Sequence, residues 1–463
     1  MQLLKKQSKT AHELIKMLGQ NNVLFSPEDI YSYTNDCNCK LLPEERPIAV
    51  VLPSSIKDVQ NIAQFCYKNN IPMIARGAGT NHVGGCVAKK SGILIHFSRM
   101  NKILKISKEN LNTIVQPGAT IGQIQQQCLK EGLFYPPDPS NLAVSTIGGA
   151  LALSSGGPRG LKYGTAKDYI LNLKVVLADG SLIETGSDCS KSVTGFNLTQ
   201  LFVGSEGTLG IIVEATLKLI PKPQTSKIML AYFETIEEAS AGVNQILESG
   251  ITPAVIDLLD KFTLKTIEDF KPSGLKTDKE AMLFIEIDGS CKSVEEDELK
   301  ISNLLQNAQI ELIKTSEQAQ IFWTARRAAF GATSKLKGNV ITEDVVVPRT
   351  QIPTLVKEIK EINQKYGLTA CIMGHAGDGN IHPNYALDFD DIEEMTRFYR
   401  AKDELFALAL KLGGTLSGEH GIGFEKAGYL KNALGDKVYG ISKQIKTIFD
   451  PKNLMNPGKL FIE

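Results

Sequence analysis

The sequence has no apolar run long enough to cross a membrane. Its longest uninterrupted apolar stretches, Ile228–Phe233 and Leu405–Leu410, are six residues long, whereas a bilayer-spanning helix needs roughly 20 residues. The N-terminal segment, Met1–Gln20, interrupts its apolar residues with lysines and has no obvious cleavage site, so we expect no secretory signal. These absences argue against a membrane-spanning or secreted protein.

An excess of charge of one sign is also lacking, as are cysteine pairs with CxxC spacing. The 51 basic and 51 acidic residues give a net charge of zero, which argues against a nucleic-acid partner or a polybasic membrane patch. The 8 cysteines form no CxxC pair, so neither an iron–sulfur cluster nor a structural zinc finger is expected within the chain. Free thiols are the expected state, and we predict a cytoplasmic protein.

The chain is large enough for several domains with ordinary cores. Its 463 residues are 42% apolar and 22% charged, which is typical of globular proteins, and this length predicts two or three domains. The composition changes at Pro221-Lys-Pro223, which predicts a domain boundary. Glycine-rich loops precede this boundary, and the motifs that concentrate histidine follow it.

The first glycine-rich loop follows a predicted strand–helix–strand unit. This unit consists of a strand at Ile48–Leu52, a helix that begins after Ser55 and a strand at Ile71–Ala75, and it leads directly into the loop Arg76–Gly85. Ser55 and Asp58 have the spacing of a capping box at the start of the helix. Such a loop lets backbone amides approach an anion, because glycine has no Cβ in the way. The dinucleotide fingerprint GxGxxG is incomplete, since His82 stands at the third glycine, and an NAD-type Rossmann interpretation is weak.

More glycine- or proline-rich loops follow in the same half. They lie at Tyr135–Pro139, Thr146–Gly164 and Gly204–Gly210. Each glycine alone could serve a tight turn or close strand packing. Several such loops together favour a large ligand bound between two subdomains.

Two short motifs in the second half contain three of the 6 histidines. His375 and His382 flank a glycine-containing turn, and Glu419 and His420 are adjacent further along. Two imidazoles and a carboxylate predict a divalent metal site with open positions, although backbone carbonyls could instead satisfy such loop histidines. His420 is the best candidate for a general base, because an imidazole titrates near neutral pH.

Two neighbouring arginines are candidates to hold a carboxylate substrate. Arg326 and Arg327 follow Trp323 in a predicted helix, where consecutive side chains point about 100° apart. At most one of them is therefore expected to face inward, and a surface position is favoured for Arg327. An inward arginine would bind a carboxylate through a two-point contact.

Together these motifs resemble a known family, the FAD-linked oxidases and dehydrogenases of the vanillyl-alcohol oxidase type. In the first half the resemblance rests on Arg76-Gly-Ala-Gly-Thr80, Pro137-Asp-Pro139, Gly148-Gly149, Gly164-Thr165 with Asp168, and Gly204-Ser-Glu-Gly-Thr-Leu-Gly210. In the second half the motifs Thr342–Pro348, Met373–Asn384, Glu419–Gly423 and Asn456–Lys459 resemble its metal-dependent 2-hydroxy-acid branch. That branch includes FAD-linked D-lactate dehydrogenases, the catalytic subunit of glycolate oxidase and D-2-hydroxyglutarate dehydrogenases.

The resemblance implies a fold of the α+β class. It predicts a two-subdomain FAD-binding domain of the vanillyl-alcohol oxidase (PCMH) type, followed by an α+β substrate or cap domain. The implied divisions are an N-terminal helical segment at 1–42, the FAD-binding domain at 43–221 and the substrate domain at 222–463, of which about 413–463 packs back on the FAD domain.

The resemblance also implies a site, residue by residue. FAD would contact Arg76, Gly77, Ala78, Gly79, Thr80, Asn81, Pro137, Asp138, Gly148, Gly149, Gly164, Thr165, Asp168, Glu206, Gly207, Gly210 and Ile211. Thr80 stands where some relatives attach the flavin through a histidine, so non-covalent FAD is implied. His375, His382 and Glu419 match the ligands of a divalent metal, which could be zinc, iron or manganese. His420 matches the base, Arg326 the carboxylate-binding arginine and Asn384 a substrate-contacting asparagine.

The implied reaction is the oxidation of a small D-2-hydroxy acid to the 2-oxo acid, with hydride transfer to flavin N5. Relatives that act on hydroxyglutarate carry a lysine where Thr342 stands and a threonine where Phe330 stands. A short monocarboxylate is therefore favoured here, D-lactate first and glycolate second, ahead of D-2-hydroxyglutarate.

The implied partners follow from what the chain does not supply. Reoxidation needs an external acceptor: an electron-transferring flavoprotein, an iron–sulfur subunit, a quinone pathway or oxygen. Family members often form dimers, so a homodimer is allowed. Two other classes remain as alternatives. A zinc hydrolase would leave the glycine-rich half without a purpose, and a non-catalytic flavoprotein subunit would leave the histidine motifs without one.

Overall fold

The structure is a computed structural model that describes residues 2–38 and 46–461, with side chains described from residue 9 onward. The expected division at 42 and 43 lies outside the described residues. The strands are Val23–Leu24 (β1), Ala49–Val51 (β2), Met73–Arg76 (β3), Ile93–His96 (β4), Ile103–Ser107 (β5), Asn112–Val115 (β6), Leu133–Phe134 (β7), Ile170–Val176 (β8), Leu182–Glu184 (β9), Ile211–Lys218 (β10), Ile220–Pro221 (β11), Thr225–Phe233 (β12), Val255–Asp260 (β13), Ala281–Gly289 (β14), Gln309–Ile313 (β15), Asn339–Thr342 (β16), Val345–Val346 (β17), Thr369–His375 (β18) and Asn380–Leu387 (β19).

The α-helices alternate with these strands along most of the chain. They are Gln2–Leu18 (α1), Pro27–Tyr31 (α2), Ile56–Asn69 (α3), Ile121–Lys130 (α4), Ile147–Leu153 (α5), Gly160–Tyr163 (α6), Leu198–Phe202 (α7), Ile236–Glu248 (α8), Lys261–Phe270 (α9), Cys291–Leu304 (α10), Ser316–Arg327 (α11), Ala329–Lys337 (α12), Ile352–Tyr366 (α13), Ile392–Lys411 (α14) and Ala427–Phe449 (α15). Within the described part of the chain, none of these helices is long and apolar enough to cross a membrane.

The chain divides into two compact units. Unit 1 consists of Met1–Ser155, Thr165–Lys222 and Glu419–Glu463, and unit 2 of Gly156–Gly164 and Pro223–Gly418. The division between Lys222 and Pro223 falls within the proline-containing segment singled out by the sequence.

Unit 1 contains two larger sheets built in different ways, besides the two-stranded pair of β7 and β11. Strands β2, β4 and β3 form a parallel group, with β1 added antiparallel at its edge. Helix α3 connects β2 to β3. Its N-terminus is fixed by the expected capping box, in which the Ser55 hydroxyl accepts from the Asp58 amide and the Asp58 carboxylate accepts from the Ser55 amide. The second sheet, ordered β5-β6-β10-β8-β9, is antiparallel.

The last segment of the chain is built into unit 1. Met455 forms a parallel bridge to Met73, and the Asn456 side chain donates to the carbonyls of Gly85 and Glu206. Helix α15 is interrupted at Gly435, whose φ of 74° is not helical. The contacts of Asn456 join the two glycine-rich loops that follow β3 and precede β10.

Unit 2 is an antiparallel sheet covered by helices. Its strand order is β15-β12-β14-β13-β18-β19-β16, with β17 also paired to β19. The buried strands β13, β18 and β19 lie next to one another. Because neighbouring strands fix which side chains stand opposite each other, this centre of the sheet positions the histidine motif.

The segment Gly156–Gly164 belongs to unit 2, whereas the sequence places it inside an uninterrupted FAD domain at 43–221. Its side chains explain this difference. The Arg159 guanidinium lies 2.9 Å from the Glu286 carboxylate, and the Tyr163 hydroxyl donates to Asp288 at 2.7 Å. Both carboxylates stand on β14, so charge-assisted contacts hold the segment on the sheet of unit 2.

Candidate active site

The two histidines of the first motif stand together in unit 2. His375 ends β18 and His382 lies in β19, and the two strands pair so that His375 is opposite Asn380 and His382 opposite Met373. Their ring centroids are 5.2 Å apart, and the two residues are only 4% and 6% exposed. Gly379, with φ of 86°, makes the tight turn between the strands. The structure thus brings together the two imidazoles that the sequence pairs.

A carboxylate that the sequence analysis did not single out lies beside His375. Asp257 on β13 is fully buried, and its Oδ1 is 2.7 Å from His375 Nδ1. Its other oxygen, Oδ2, accepts from Arg326 Nε at 2.6 Å. Burial alone would raise the pKa of Asp257, but Arg326 and His375 outweigh this effect and hold the pKa below its ordinary value. An ionised carboxylate therefore links a predicted ligand to the predicted carboxylate-binding arginine.

The two candidate arginines separate as helix geometry predicts. Arg326, in the last turn of α11, is 6% exposed and faces Asp257. Arg327 is exposed, and its guanidinium lies over the Trp323 ring at 4.9 Å. Arg326 is therefore the inward member of the pair.

Asn384 is oriented by Thr342. The two residues are paired across β16 and β19, and the Thr342 hydroxyl donates to Asn384 Oδ1 at 2.6 Å. Both side chains are buried. With its oxygen engaged by Thr342, Asn384 has an amide nitrogen to offer as a donor. Phe330, by contrast, is 40% exposed.

Asp344 connects the second histidine with the chain that precedes Glu419. Its Oδ1 is 3.7 Å from His382 Nδ1 and accepts from Asn380 Nδ2 at 2.7 Å. Its Oδ2 accepts from the Ser417 hydroxyl at 2.5 Å and from the Gly418 amide at 3.0 Å. Each histidine of the pair thus has a buried carboxylate on the side of its Nδ1.

Glu419 and His420 begin the last segment of unit 1. Glu419 Oε1 lies 3.6 Å from His420 Nε2, and both side chains are partly buried. The His82 ring stacks on the His420 ring with centroids 4.8 Å apart, and the Asn81 amide donates to the His420 carbonyl at 3.1 Å. The first glycine-rich loop therefore holds the candidate base.

Glu206, expected at the flavin, makes protein contacts here. Its carboxylate accepts from the amides of Ile422 and Gly423, each at 2.7 Å. Burial raises the pKa of Glu206 above its ordinary value, although these amides favour the charged form. The geometry assigns Glu206 to fixing the loop after His420, and its contact with FAD remains a prediction.

The first glycine-rich loop is packed closely against the start of α5. A Cβ on Gly77 would lie 2.0 Å from the Thr146 hydroxyl oxygen, and one on Gly79, whose φ is 76°, would lie 2.1 Å from Arg76 Nη2. The Arg76 guanidinium thus packs beneath its own loop. The Thr146 hydroxyl is buried and makes no hydrogen bond within the described residues.

The remaining residues predicted for FAD lie in loops, at the start of β10 and in short helices, with Gly148 and Gly149 in the first turn of α5. Asn81 Oδ1 accepts from the Val83 and Gly85 amides, and the Asp168 carboxylate accepts from the Thr165 amide. The others are Ala78, Thr80, Pro137, Asp138, Gly148, Gly149, Gly207, Gly210 and Ile211 in unit 1, and Gly164 in unit 2. In these positions they remain predicted contacts.

The residues present fit both groups that the resemblance implies. For FAD, the cradle of Gly77 and Gly79 leaves no room for side chains, and the adjacent Thr146 hydroxyl has no hydrogen-bond partner among the described residues. For a divalent metal, unit 2 supplies two buried imidazoles, each backed by a carboxylate. Such outer carboxylates commonly orient metal-ligating histidines.

Comparison with known proteins defines the class. Residues 47–186 match the family model described as FAD binding domain, and residues 222–460 match that of FAD linked oxidases, C-terminal domain. The structure is similar to p-cresol methylhydroxylase with substrate bound (TM-score 0.83, 18% identity, 98% of this chain and 97% of that chain). It is also similar to 4-ethylphenol oxidase from Gulosibacter chungangensis (TM-score 0.81, 18% identity, 99% and 97%). These likenesses confirm the α+β, vanillyl-alcohol oxidase (PCMH) type of fold.

Proteins of similar sequence show the family to which the chain belongs. The chain is 42% identical over 452 residues to the glycolate oxidase subunit GlcD of Bacillus subtilis, covering 97% of this chain and 96% of that protein. It is 33% identical over 459 residues to a D-lactate dehydrogenase of Anaerostipes hadrus, covering 97% and 96%. The protein is an FAD-linked oxidoreductase. It belongs to the FAD-linked oxidase family, with the GlcD subunits and D-lactate dehydrogenases among its relatives.

The sequence alone does not identify the contacts of two residues of the site, Asp257 and His82. Asp257 stands in β13, where the other residues of Val255–Leu259 are apolar, and a lone acid in such a run is a signal of a buried partner. The sequence signal at His82 is that it stands in place of the third glycine of the GxGxxG fingerprint. Neither signal identifies the partner, because Asp257 is far in the sequence from His375, and His82 is far from His420.

Proposed function

We propose that the protein oxidises a short D-2-hydroxy monocarboxylate to the 2-oxo acid, with D-lactate as the first candidate and glycolate as the second. The arrangement of Arg326, Asp257 and His375 carries this proposal. It combines a buried cation for a carboxylate with an oriented imidazole. Relatives named for glycolate and for D-lactate support the same substrate class.

The buried side chains of unit 2 bind and orient the substrate. Arg326 holds the carboxylate through its guanidinium, which a buried Asp257 keeps in one orientation. Asn384 donates its amide N–H to a substrate oxygen, because Thr342 occupies its carbonyl. These contacts fix which face of the substrate Cα is presented for transfer.

The proposed cofactor and metal supply chemistry that side chains lack. The loops around Gly77 and Gly79 would hold FAD non-covalently, and its N5 would supply the hydride acceptor for the substrate Cα hydride. His375, His382 and Glu419 are the proposed ligands of a divalent metal, which would supply a Lewis acid that favours ionisation of a substrate hydroxyl. His420 then takes the hydroxyl proton, since an imidazole is suited to accept a proton at neutral pH.

Substrate length is proposed to be set near Thr342. A hydroxyl engaged with Asn384 cannot neutralise a second carboxylate as a lysine could. The charge of a distal carboxylate would therefore not be neutralised at Thr342, and D-2-hydroxyglutarate is proposed to be a poorer substrate than D-lactate or glycolate. The electron acceptor is proposed to be external: an electron-transferring flavoprotein, an iron–sulfur subunit, a quinone pathway or oxygen.

Turnover with a substrate panel tests this function. The purified protein, supplied with FAD and Zn²⁺ or Mn²⁺, is assayed with a redox dye as acceptor against D-lactate, glycolate, L-lactate and D-2-hydroxyglutarate. We expect D-lactate or glycolate to have the highest kcat/KM and to yield the 2-oxo acid. Acid precipitation should release all the flavin, because the linkage is non-covalent. Activity only with D-2-hydroxyglutarate, or with no 2-hydroxy acid, would contradict the proposal.

A further inference from the structure

Asp257 connects two parts of unit 2 that the proposed function uses separately. Its side chain is 0% exposed, and each of its oxygens has a different partner. Oδ1 lies 2.7 Å from His375 Nδ1, and Oδ2 accepts from Arg326 Nε at 2.6 Å. One rigid carboxylate therefore contacts both a proposed metal ligand and the proposed substrate-binding cation.

The backbone fixes this carboxylate firmly. Asp257 is paired with His375 in the register of β13 and β18, and β13 is also paired on its other edge with β14. Helix α11, which carries Arg326, packs Phe322 and Ala325 into the same core cluster as Leu259. A side chain held from both sides in this way has little freedom to follow either partner.

We propose that Asp257 is a positioning residue that sets the metal-ligating nitrogen of His375 and the orientation of the Arg326 guanidinium together. Its contact with Nδ1 directs the opposite nitrogen, Nε2, toward a metal. Its contact with Nε directs the terminal nitrogens of Arg326 toward a carboxylate. This inference rests on the proposed function, since it assigns roles toward the same metal and substrate.

A neighbouring acid supplies a matched control. Asp260 lies on the same strand and is 3% exposed, yet its Oδ1 accepts from the Thr263 amide and hydroxyl at the start of α9. It is an N-cap, a role that asparagine also fills well. Asp260→Asn therefore replaces a buried carboxyl group in β13 that contacts neither His375 nor Arg326 in the hydrogen bonds above.

The first test compares Asp257→Asn with Asp260→Asn and the unaltered protein. Zn²⁺ affinity of the metal-stripped, flavin-containing protein is measured by competition with a chromophoric chelator. We expect Asp257→Asn to weaken Zn²⁺ binding about 10- to 100-fold, as outer-sphere changes do. At saturating Zn²⁺ its KM for the 2-hydroxy acid should still rise about tenfold, with a smaller change in kcat, because Arg326 has lost its partner. Asp260→Asn should change neither quantity more than twofold.

The outcomes separate this inference from the proposed function. If the unaltered protein binds Zn²⁺ and turns over a 2-hydroxy acid while Asp257→Asn matches Asp260→Asn in Zn²⁺ affinity and KM, the inference is overturned and the function stands. If the unaltered protein neither binds a divalent metal nor oxidises a 2-hydroxy acid, the proposed function fails and the inference fails with it.

A second measurement needs no substitution at Asp257 and so does not depend on the stability of a variant. Histidine labelled with ¹⁵N is incorporated into the unaltered, metal-free protein, whose 6 histidines give few signals. The His375 signal, identified by its loss in His375→Gln, should show a proton on Nδ1 and none on Nε2. A proton on Nε2 instead would overturn the proposed role of Asp257.

Discussion

The ring of His82 stacks on the ring of His420, with centroids 4.8 Å apart and planes inclined by 25°. His82 belongs to the loop after β3, and His420 begins the segment that returns to unit 1 near the end of the chain. Asn81 and Glu206 fix the same region through the His420 carbonyl and the amides of Ile422 and Gly423. Glycine-rich loops of unit 1 thus hold the proposed base.

Replacing His420 should slow flavin reduction without removing the flavin. His420→Ala should reduce the rate of anaerobic flavin reduction by about 10²- to 10⁴-fold, the usual contribution of a general base. Flavin content per chain should be unchanged. His82→Ala should lower the same rate only about two- to tenfold, because it removes a stacking contact. Stopped-flow absorbance measures both rates, and a His420→Ala protein as fast as the unaltered one would rule out its role as base.

Glu206 should make the stability of the protein depend on pH. Because burial raises the pKa of Glu206, the folded state holds this proton more tightly than the unfolded chain. The resulting stabilisation is fully present below the unfolded pKa, about 4.3, and is lost as the pH rises through the folded pKa. Relative to the unaltered protein, the melting temperature of Glu206→Gln should therefore increase from about pH 4 to about pH 8.

Thermal denaturation followed by flavin fluorescence or circular dichroism checks this pH dependence. Glu131→Gln, which alters an exposed glutamate of unit 1, provides the control and should show no such trend. A difference between Glu206→Gln and the unaltered protein that stays constant with pH would contradict the expectation.

Local patterns predicted much of this molecule because their physics is local. The capping box at Ser55 and the turn at Gly379 depend on residues within a few positions of each other. Helix geometry also predicts that Arg326 and Arg327 do not both face inward. His375 and His382 are likewise close in the chain, and one hairpin brings them together.

The contacts that could not be predicted join residues that are far apart in the sequence. Asp257 and His375 are 118 positions apart, and only the register of β13 and β18 shows that they meet. Glu206 and Ile422 are separated by 216 positions, so their contact could not be predicted from the glycine motif, and the contact of Glu206 with FAD stays a prediction. Arg159 likewise pairs with a carboxylate on β14 that is distant in the sequence, and this contact places the short segment around Arg159 in unit 2.

The two arginines of α11 should behave differently on conservative replacement. Arg326→Lys loses the planar fork that contacts Asp257 and the proposed substrate carboxylate, so KM for the 2-hydroxy acid should rise about 10- to 100-fold. Arg327→Lys, at the exposed neighbour that lies over Trp323, should change KM less than twofold. Steady-state kinetics at saturating metal measures both values. Equal effects of the two substitutions would contradict the assignment of Arg326.

Thr342 should control the length of the accepted substrate. Thr342→Val removes the hydroxyl that orients Asn384, and the loss of one hydrogen bond, about 1 kcal/mol, should lower kcat/KM about fivefold. Thr342→Lys places a cation on β16 and should raise kcat/KM for D-2-hydroxyglutarate relative to D-lactate at least tenfold. The ratio of the two kcat/KM values is the measurement. An unchanged ratio in Thr342→Lys would show that specificity lies elsewhere.

Anaerobic flavin reduction with and without metal tests the central claim most directly. One sample is protein stripped of metal by a chelator, and the other is the same protein after Zn²⁺ or Mn²⁺ is restored. Each is mixed with D-lactate or glycolate while the flavin absorbance near 450 nm is followed. The account predicts rapid bleaching with restored metal, and bleaching at least 100-fold slower without it. Bleaching at the same rate in the stripped protein, or none in the restored protein with any 2-hydroxy acid, would contradict it.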